Sequence, residues 1–600
     1  MKRRTFLAGA ALSFGATFTG LLRPSLAHAS TGTAGTFEPL RLALSTPGRL
    51  GFYVDYSERT TTGIHTFYVC RTHGTTGTVS VDYSTSGDAH TAATGTFTWR
   101  DGEADIKFFT VEVPTKEPGI HRINANLSNA TGGAVLHFGE KHTTAYGVID
   151  DGSISSDAVF FDTSATTSGT GSVSEPYNNI YDAISNAGTR RYIYGTGTVT
   201  VDGTNLDRPF GQTVQCISPP ASRAGESDRL CIQQWPGKQA LIVQGDGASN
   251  NQAGFLTATP AKGSWITYRG ISFRNLSQTD SGGFGGGIGY IYSANGTGVN
   301  IERCSFENID AGDNVAAIMP WGATGWKIWR CTANNIQVKG STSNQNATGL
   351  LQTYDGASIS IQRCRMSNCS SGTFHKRIAN AGVDVSLNLR FNHFIGCIAR
   401  YSASGLDGAS HSFSVVQGNL FQNITGYGAI HHLTRNPDNV GQKAGWWCNN
   451  IFDSCGSGEI AAIHTQMANG AAIFNNIMLN CRRVWTDIID ESPNSDIEFA
   501  DNNVEFGTTY SQKYEWRGID FSSAPELHAA AGFEGNAVSA DPQFQNIRNG
   551  NYRLSPTSPA LTAGVGGSSA GIFLTGAEIV GPKSDLAVRV PEKMPPVTIS

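Results

Sequence analysis

Charge is scarce in this chain: only 15% of its 600 residues are Asp, Glu, Lys or Arg, and they sum to a net charge of -5. No global basic field therefore points to nucleic acid, and an anionic partner needs a local basic patch. Beyond the first thirty or so residues no apolar run is long enough to cross a bilayer. The regular leucine spacing of leucine-rich repeats is missing, as is the period of about 40 residues that suits propeller blades. Apolar residues alternate with period two, which excludes a helical array. Nothing matches a serine triad, a phosphate-binding glycine loop or a zinc spacing. The 11 cysteines are odd in number and form no disulfide framework. Cys304, Cys331 and Cys364 recur at one repeat position, and Cys369, Cys397, Cys455 and Cys481 at another, which suits stacked buried thiols. Cys216 and Cys231 are left open as a pair.

What is abundant is glycine, 71 residues, in a chain long enough for two or three domains. That balance suits a β-rich, turn-rich exported protein. The N-terminus agrees: Lys2-Arg3-Arg4-Thr5-Phe6-Leu7 precedes a short apolar run from Ala8 to Leu22 and the small residues Ala27-His28-Ala29. This leader, residues 1–29, resembles a twin-arginine export signal. The resemblance implies export in the folded state, to the periplasm or the medium.

Residues 38–151 read as a small β-sandwich, with alternating runs at Val79–Tyr83, Gly95–Trp99, Ile106–Val113 and Ile120–Leu127. Val79–Asp88, Gly95–Ile106, Asn126–Ala134 and the closing Gly147-Val148-Ile149-Asp150-Asp151 resemble the Calx-beta module. The resemblance implies a calcium site at Asp150 and Asp151, since a hard cation seeks clustered oxygens. The alternative is a spacer in which these aspartates only cap a strand. No other cofactor is indicated.

Residues 157–565 carry a repeat. Six-residue units begin at Ile271, Cys304, Cys331, Cys364, Asn392, Asn419, Asn450 and Asn476, with a weaker one at Asn502. Their third and sixth positions are apolar almost throughout, so they face a common core. The first position becomes Asn in the later units. Stacked at a strand spacing of about 4.8 Å, those amides can bond along the axis. The expected fold is all-β: a right-handed parallel β-helix preceded by the sandwich. Cys231–Ile242, Trp265–Phe273, Asp541–Phe544 and Tyr552–Pro559 resemble segments of the pectate-lyase-like superfamily of right-handed β-helices. That resemblance implies an N-terminal cap, for which Asn178–Ala187 is the candidate helix. Residues 566–600 read as a loose tail.

The strand after each unit should lie on one long face. It carries Tyr290 and Tyr292, Trp321, Gln352 and Tyr354, His375-Lys376-Arg377, Arg400-Tyr401, His431-His432, and His464 with Gln466. Aromatic rings offer platforms to a sugar chain, and Arg and Lys offer donors to uronate carboxylates. Residues 371–443 hold six Lys or Arg and three Asp or Glu. Elimination from a uronic acid needs a base for the proton alpha to the carboxylate and a cation to neutralise that carboxylate. Lys376, between His375 and Arg377, suits the base. Arg400, 24 residues on, is expected one coil away as neutraliser. His431 or His432 suits proton transfer to the leaving oxygen. Lys376–Gly405 resembles the chondroitinase B and alginate lyase family, which implies these roles for Lys376 and Arg400. Tyr401 stands where that family has His, and its acidic calcium ligands near the lysine are missing.

The expected function is β-elimination of an acidic polysaccharide by a monomeric enzyme with no nucleic-acid partner and no membrane span. One alternative is a glycoside hydrolase on the same scaffold, drawing on Asp355, Asp407, Glu459, Asp487 or Asp490. Another is a non-catalytic carbohydrate-binding or adhesion protein.

Overall fold

Position three of the repeat turns inward. Phe273, Phe306, Ala333, Met366, Phe394, Phe421, Phe452 and Met478 are in register on successive coils, and all are buried. The ring of Phe421 stacks on those of Phe394 and Phe452 at 4.7 and 5.0 Å. Position five turns the corner: Asn275, Asn308, Asn335, Asn368, Asn423 and Asn480 have φ between 50 and 56°. Asn tolerates this left-handed region better than other side chains that carry a Cβ, and Gly396 takes it at the equivalent place in its unit. A second left-handed corner precedes each unit, at Arg303, Arg330, Arg363, Phe391, Asn449 and Asn475 among others.

In the computed structural model of the chain these coils build a right-handed parallel β-helix. Residues 47–582 are described, with breaks at 137–143, 208–212, 279–285, 291–295, 339–348, 355–358, 377–384, 398–405, 434–444, 467–470, 489–496 and 573–577 and shorter ones elsewhere. Each coil contributes three strands; Lys327–Trp329, Thr332–Val338 and Leu351–Tyr354 make up one. The first two strand positions merge into a 23-stranded sheet, and the third builds a sheet of 13 strands, among the described residues. The helix Ile180–Ser185 packs against the N-terminal end of the core, capped by Asn179, whose Oδ1 accepts from Asp182 N at 2.8 Å. At the other end sits Ala524–Ala531, between an N-cap at Ser523 and a left-handed Gly532.

The asparagine column is continuous. Asn392, Asn419, Asn450 and Asn476 each donate a backbone N–H to the Oδ1 of the next Asn, at 2.9 to 3.0 Å. Their amides also donate to carbonyls of the preceding coil, as Asn450 Nδ2 does to Val416 O at 2.9 Å. The last member is Asn503, one residue later than the sequence spacing suggests, because Asn502 occupies the left-handed corner at φ 58°. The column ends on Glu534, whose Oε1 accepts from Asn503 Nδ2 and Trp485 Nε1 at 2.7 and 2.8 Å. Burial pushes the Glu534 carboxyl up to about 8.

All 11 cysteines are free and buried, so Cys216 and Cys231 do not pair. Burial pushes both thiols up to about 12.

The sandwich consists of a four-stranded and a five-stranded sheet around Trp99, Phe67 and Ile123. It lies on the first face of the helix. Tyr56 stacks on Trp329 at 4.2 Å, and Arg390 Nη1 donates to Phe52 O and Tyr53 O at 2.8 and 3.0 Å. Between them lies a buried ion network. Arg269 pairs with Glu58, with Asp150 at 2.5 Å and with Glu302 at 2.7 Å; Arg122 pairs with Glu302 at 2.7 Å; Arg303 pairs with Glu58 at 2.5 Å. The second face is covered by the C-terminal segment, where Tyr552, Ala570 and Ile572 pack on Leu420, Ile451 and Ile477. Tyr53 donates to Glu578 at 2.8 Å. The described part of the segment read as a loose tail is thus packed through Pro582, whose carbonyl accepts from Arg330 at 3.4 Å.

Two outcomes are expected. Asn450→Ala orphans Asn419 N and Val416 O and costs about 2–4 kcal/mol, measurable by chemical denaturation. Glu534 is raised above its unfolded value, so its contribution is full below about pH 4.3 and is lost as pH rises through about 8. Thermal melts of Glu534→Gln across that window should lack this part of the decline.

Candidate functional site

The sandwich and the C-terminal segment occupy the first and second faces; the candidate residues lie on the third. Period-two alternation sorts its side chains. Ile430, Ile463, Trp485 and Tyr514 point into the core and are fully buried. The next residue of each strand, His431, His464, Thr486 and Glu515, forms one outward row on consecutive coils. Upstream the same register row runs through Asp407, Phe374 and Gln352, for which the description extends to the backbone.

The rings of His431 and His464 stack with centroids 5.6 Å apart and 14° between planes. His464 Nδ1 lies 2.7 Å from Thr486 Oγ1. Burial first, then repulsion from His431 and Arg483, pulls the His464 imidazole down to about 3, so it is neutral at ordinary pH. Glu515 faces Arg483 Nη1 at 3.3 Å, and Arg483 Nη2 also pairs with Asp520 at 2.6 Å. Beside them the Arg482 guanidinium lies 4.5 Å from the Tyr510 ring, and Tyr510 OH is 3.5 Å from Glu459 Oε1. His464, Thr486, Arg483 and Glu515 are themselves buried, so the groups open to a ligand at this end are the half-buried Arg482 and Tyr510 and the exposed Glu459.

His375 and Lys376 fall in the strand Thr373–Lys376, described as backbone, and Arg377, Arg400 and Tyr401 lie outside the described residues. The coil counted from the sequence needs correction. Lys376 pairs with Tyr354 on one side and with Ala409 on the other, 33 residues on, not with a position 24 residues away. The strand partner of His431 is Asp407. His432 is not on the outer row: alternation turns it inward, where it is buried with its ring 5.9 Å from that of Trp447. Asp487 is likewise inside, accepting from Thr465 Oγ1 at 2.7 Å. Arg390, counted in the basic stretch, belongs to the first face. Trp321 is half-buried against a separate cluster with Leu256 and Met319. Thr486, Glu515 and Arg483 escaped sequence reasoning; taking the residue that follows the inward Trp485 and Tyr514 would have found the first two.

Calcium, implied for Asp150 and Asp151, takes about six to eight oxygens. Asp150 Oδ2 is held by Arg269, and its Oδ1 accepts from Gly152 N at 3.0 Å. Asp151 Oδ1 accepts from Ser153 N at 2.9 Å. Among the described residues no three His, Cys, Asp or Glu side chains gather to hold a metal. A guanidinium stands where the cation would, and the residues do not fit calcium.

No family model and no curated protein matches the chain. Among solved structures, it is similar to the apo form of the Calx CBD1 domain, at 18% identity and a TM-score of 0.15, over 17% of this chain and 95% of that one. It is also similar to the catalytic domain of a GH87 α-1,3-glucanase in complex with tetrasaccharides, at 10% identity and a TM-score of 0.30, over 80% of this chain and 91% of that one. A second structure of such a domain gives 9% identity and a TM-score of 0.24 with the same coverage.

Millimolar calcium, compared with a chelator, should leave the melting temperature unchanged. Arg269→Gln should lower stability by about 3–5 kcal/mol, because the buried Glu58 and Glu302 and the half-buried Asp150 then lose the cation they share.

Proposed function

We propose that this protein is a carbohydrate-active enzyme that binds a polysaccharide along the third face and hydrolyses its glycosidic bonds. The observation that carries the reading is the register row joining Asp407 to His431 and His464. Hydrolysis needs a carboxyl group to protonate the leaving oxygen and a second carboxylate to attack or to activate water, about 5–9.5 Å apart. Asp407 is the acid of this proposal, with His431 beside it in register. Glu515 is four strands away, roughly 19 Å at the usual strand spacing, and is too distant to be its partner. Asp355, next in sequence to the strand Leu351–Tyr354, which lies two strands from that of Asp407, is the candidate for the second carboxylate.

β-Elimination is the second reading. It is favoured by Lys376, which is in register with Tyr354 on the same sheet, so that a base and a phenol neighbour each other in the ladder. Against it stands Ala409 as the partner of Lys376 on the next coil, where the mechanism asks for a cation. The twin-arginine-like leader completes the proposal with work outside the cytoplasm. No helix among the described residues is long and apolar enough to span a membrane.

A panel of neutral and acidic polysaccharides, assayed for new reducing ends and for unsaturated products by ultraviolet absorbance, separates the readings. We expect reducing ends without absorbance, and a loss of about 100-fold or more in kcat for Asp407→Asn. Absorbance abolished by Lys376→Ala would overturn hydrolysis in favour of elimination.

A further inference from the structure

The cleft where the sandwich meets the first coils lies apart from the third face. It encloses about 490 Å³, lined by Arg122 and Asn124 from the sandwich and by Arg191, Glu226, Ser227 and Arg229 from the helix, among others. Sites for small ligands span about 300–1,000 Å³ and favour domain boundaries. This one is biased toward positive charge: three guanidiniums and one carboxylate line it, and cations still lead by one when Glu302, behind Arg122, is counted.

Two of the guanidiniums are preset. Arg229 grips Glu226 through Nε and Nη2 at 2.9 and 2.6 Å, and its Nη1 donates to Gly298 O at 2.6 Å. Arg122 donates to Glu302 at 2.7 Å and to Thr267 Oγ1 at 3.3 Å. Both are more than nine-tenths buried, at 4% and 8% exposure, so the wall needs no reordering when a ligand arrives. Of the lining residues, Arg191 is half-buried and Ser227 is exposed. Asn124 Oδ1 is a buried acceptor that takes no hydrogen bond from the protein. Sulfate has no donor to give it, whereas a sugar hydroxyl does.

We propose that this cleft is a second carbohydrate site, which takes a carboxylated sugar residue. The carboxylate turns to the guanidinium wall with Arg191 closing on it, and a ring hydroxyl donates to Asn124 Oδ1. The site makes no use of the reaction on the third face.

The test is titration calorimetry of the full-length mature chain with free glucuronate and galacturonate, with glucose and sulfate as controls. Saturable uronate binding is expected, weaker by on the order of tenfold in Arg191→Ala and abolished by Ser227→Trp, which crowds the cleft. Lys376→Ala and His431→Ala on the third face should leave it unchanged, and melting curves confirm that the cleft variants are folded. The proposal is overturned if no uronate binds, if sulfate or glucose binds as well as uronate, or if binding survives both cleft variants.

Discussion

The whole molecule depends on one constraint: successive coils must stack in register about 4.8 Å apart so that every strand finds its backbone partners. Once that holds, each position of a coil becomes a column. Columns of Phe and Met fill the interior, a column of Asn runs along one corner, and a row of His, Thr and Glu lies on the side of the third sheet turned away from the core. A polar side chain that would be costly to bury once becomes favourable when its neighbour above and below is identical. The Asn column therefore replaces disulfides as the longitudinal tie in a chain whose cysteines are all free.

Columns also explain where sequence reading worked. Units beginning at Ile271 through Asn476 were legible because core positions repeat chemically and each unit has the same length. Asn502 misled because two adjacent asparagines compete for the column, and only backbone conformation decides that Asn503 wins. Lys376 and Arg400 misled for a different reason. Coil length varies through the loops that flank the third face, so a count of residues does not give a coil there, and the ladder runs from Lys376 to Ala409. The third sheet was therefore legible as a face that carries Lys376, His431 and His464, but the register between its strands was not. The inward turn of His432 was available from alternation alone.

Charge follows the same economy of position. One set of ion pairs ties Glu58 and Asp150 of the sandwich to Arg269 and Arg303 of the helix. A strand-closing aspartate that resembles a cation ligand in sequence is thereby committed to docking. The sandwich and the C-terminal segment cover two faces, and the candidate site lies on the third.

The central claim, hydrolysis on that third face, is tested most directly by mass spectrometry of the oligosaccharides released from a polysaccharide of the panel. The account predicts products whose summed masses exceed that of the parent chain by one water per cut. Products that lack the added water and carry an unsaturated end would contradict it.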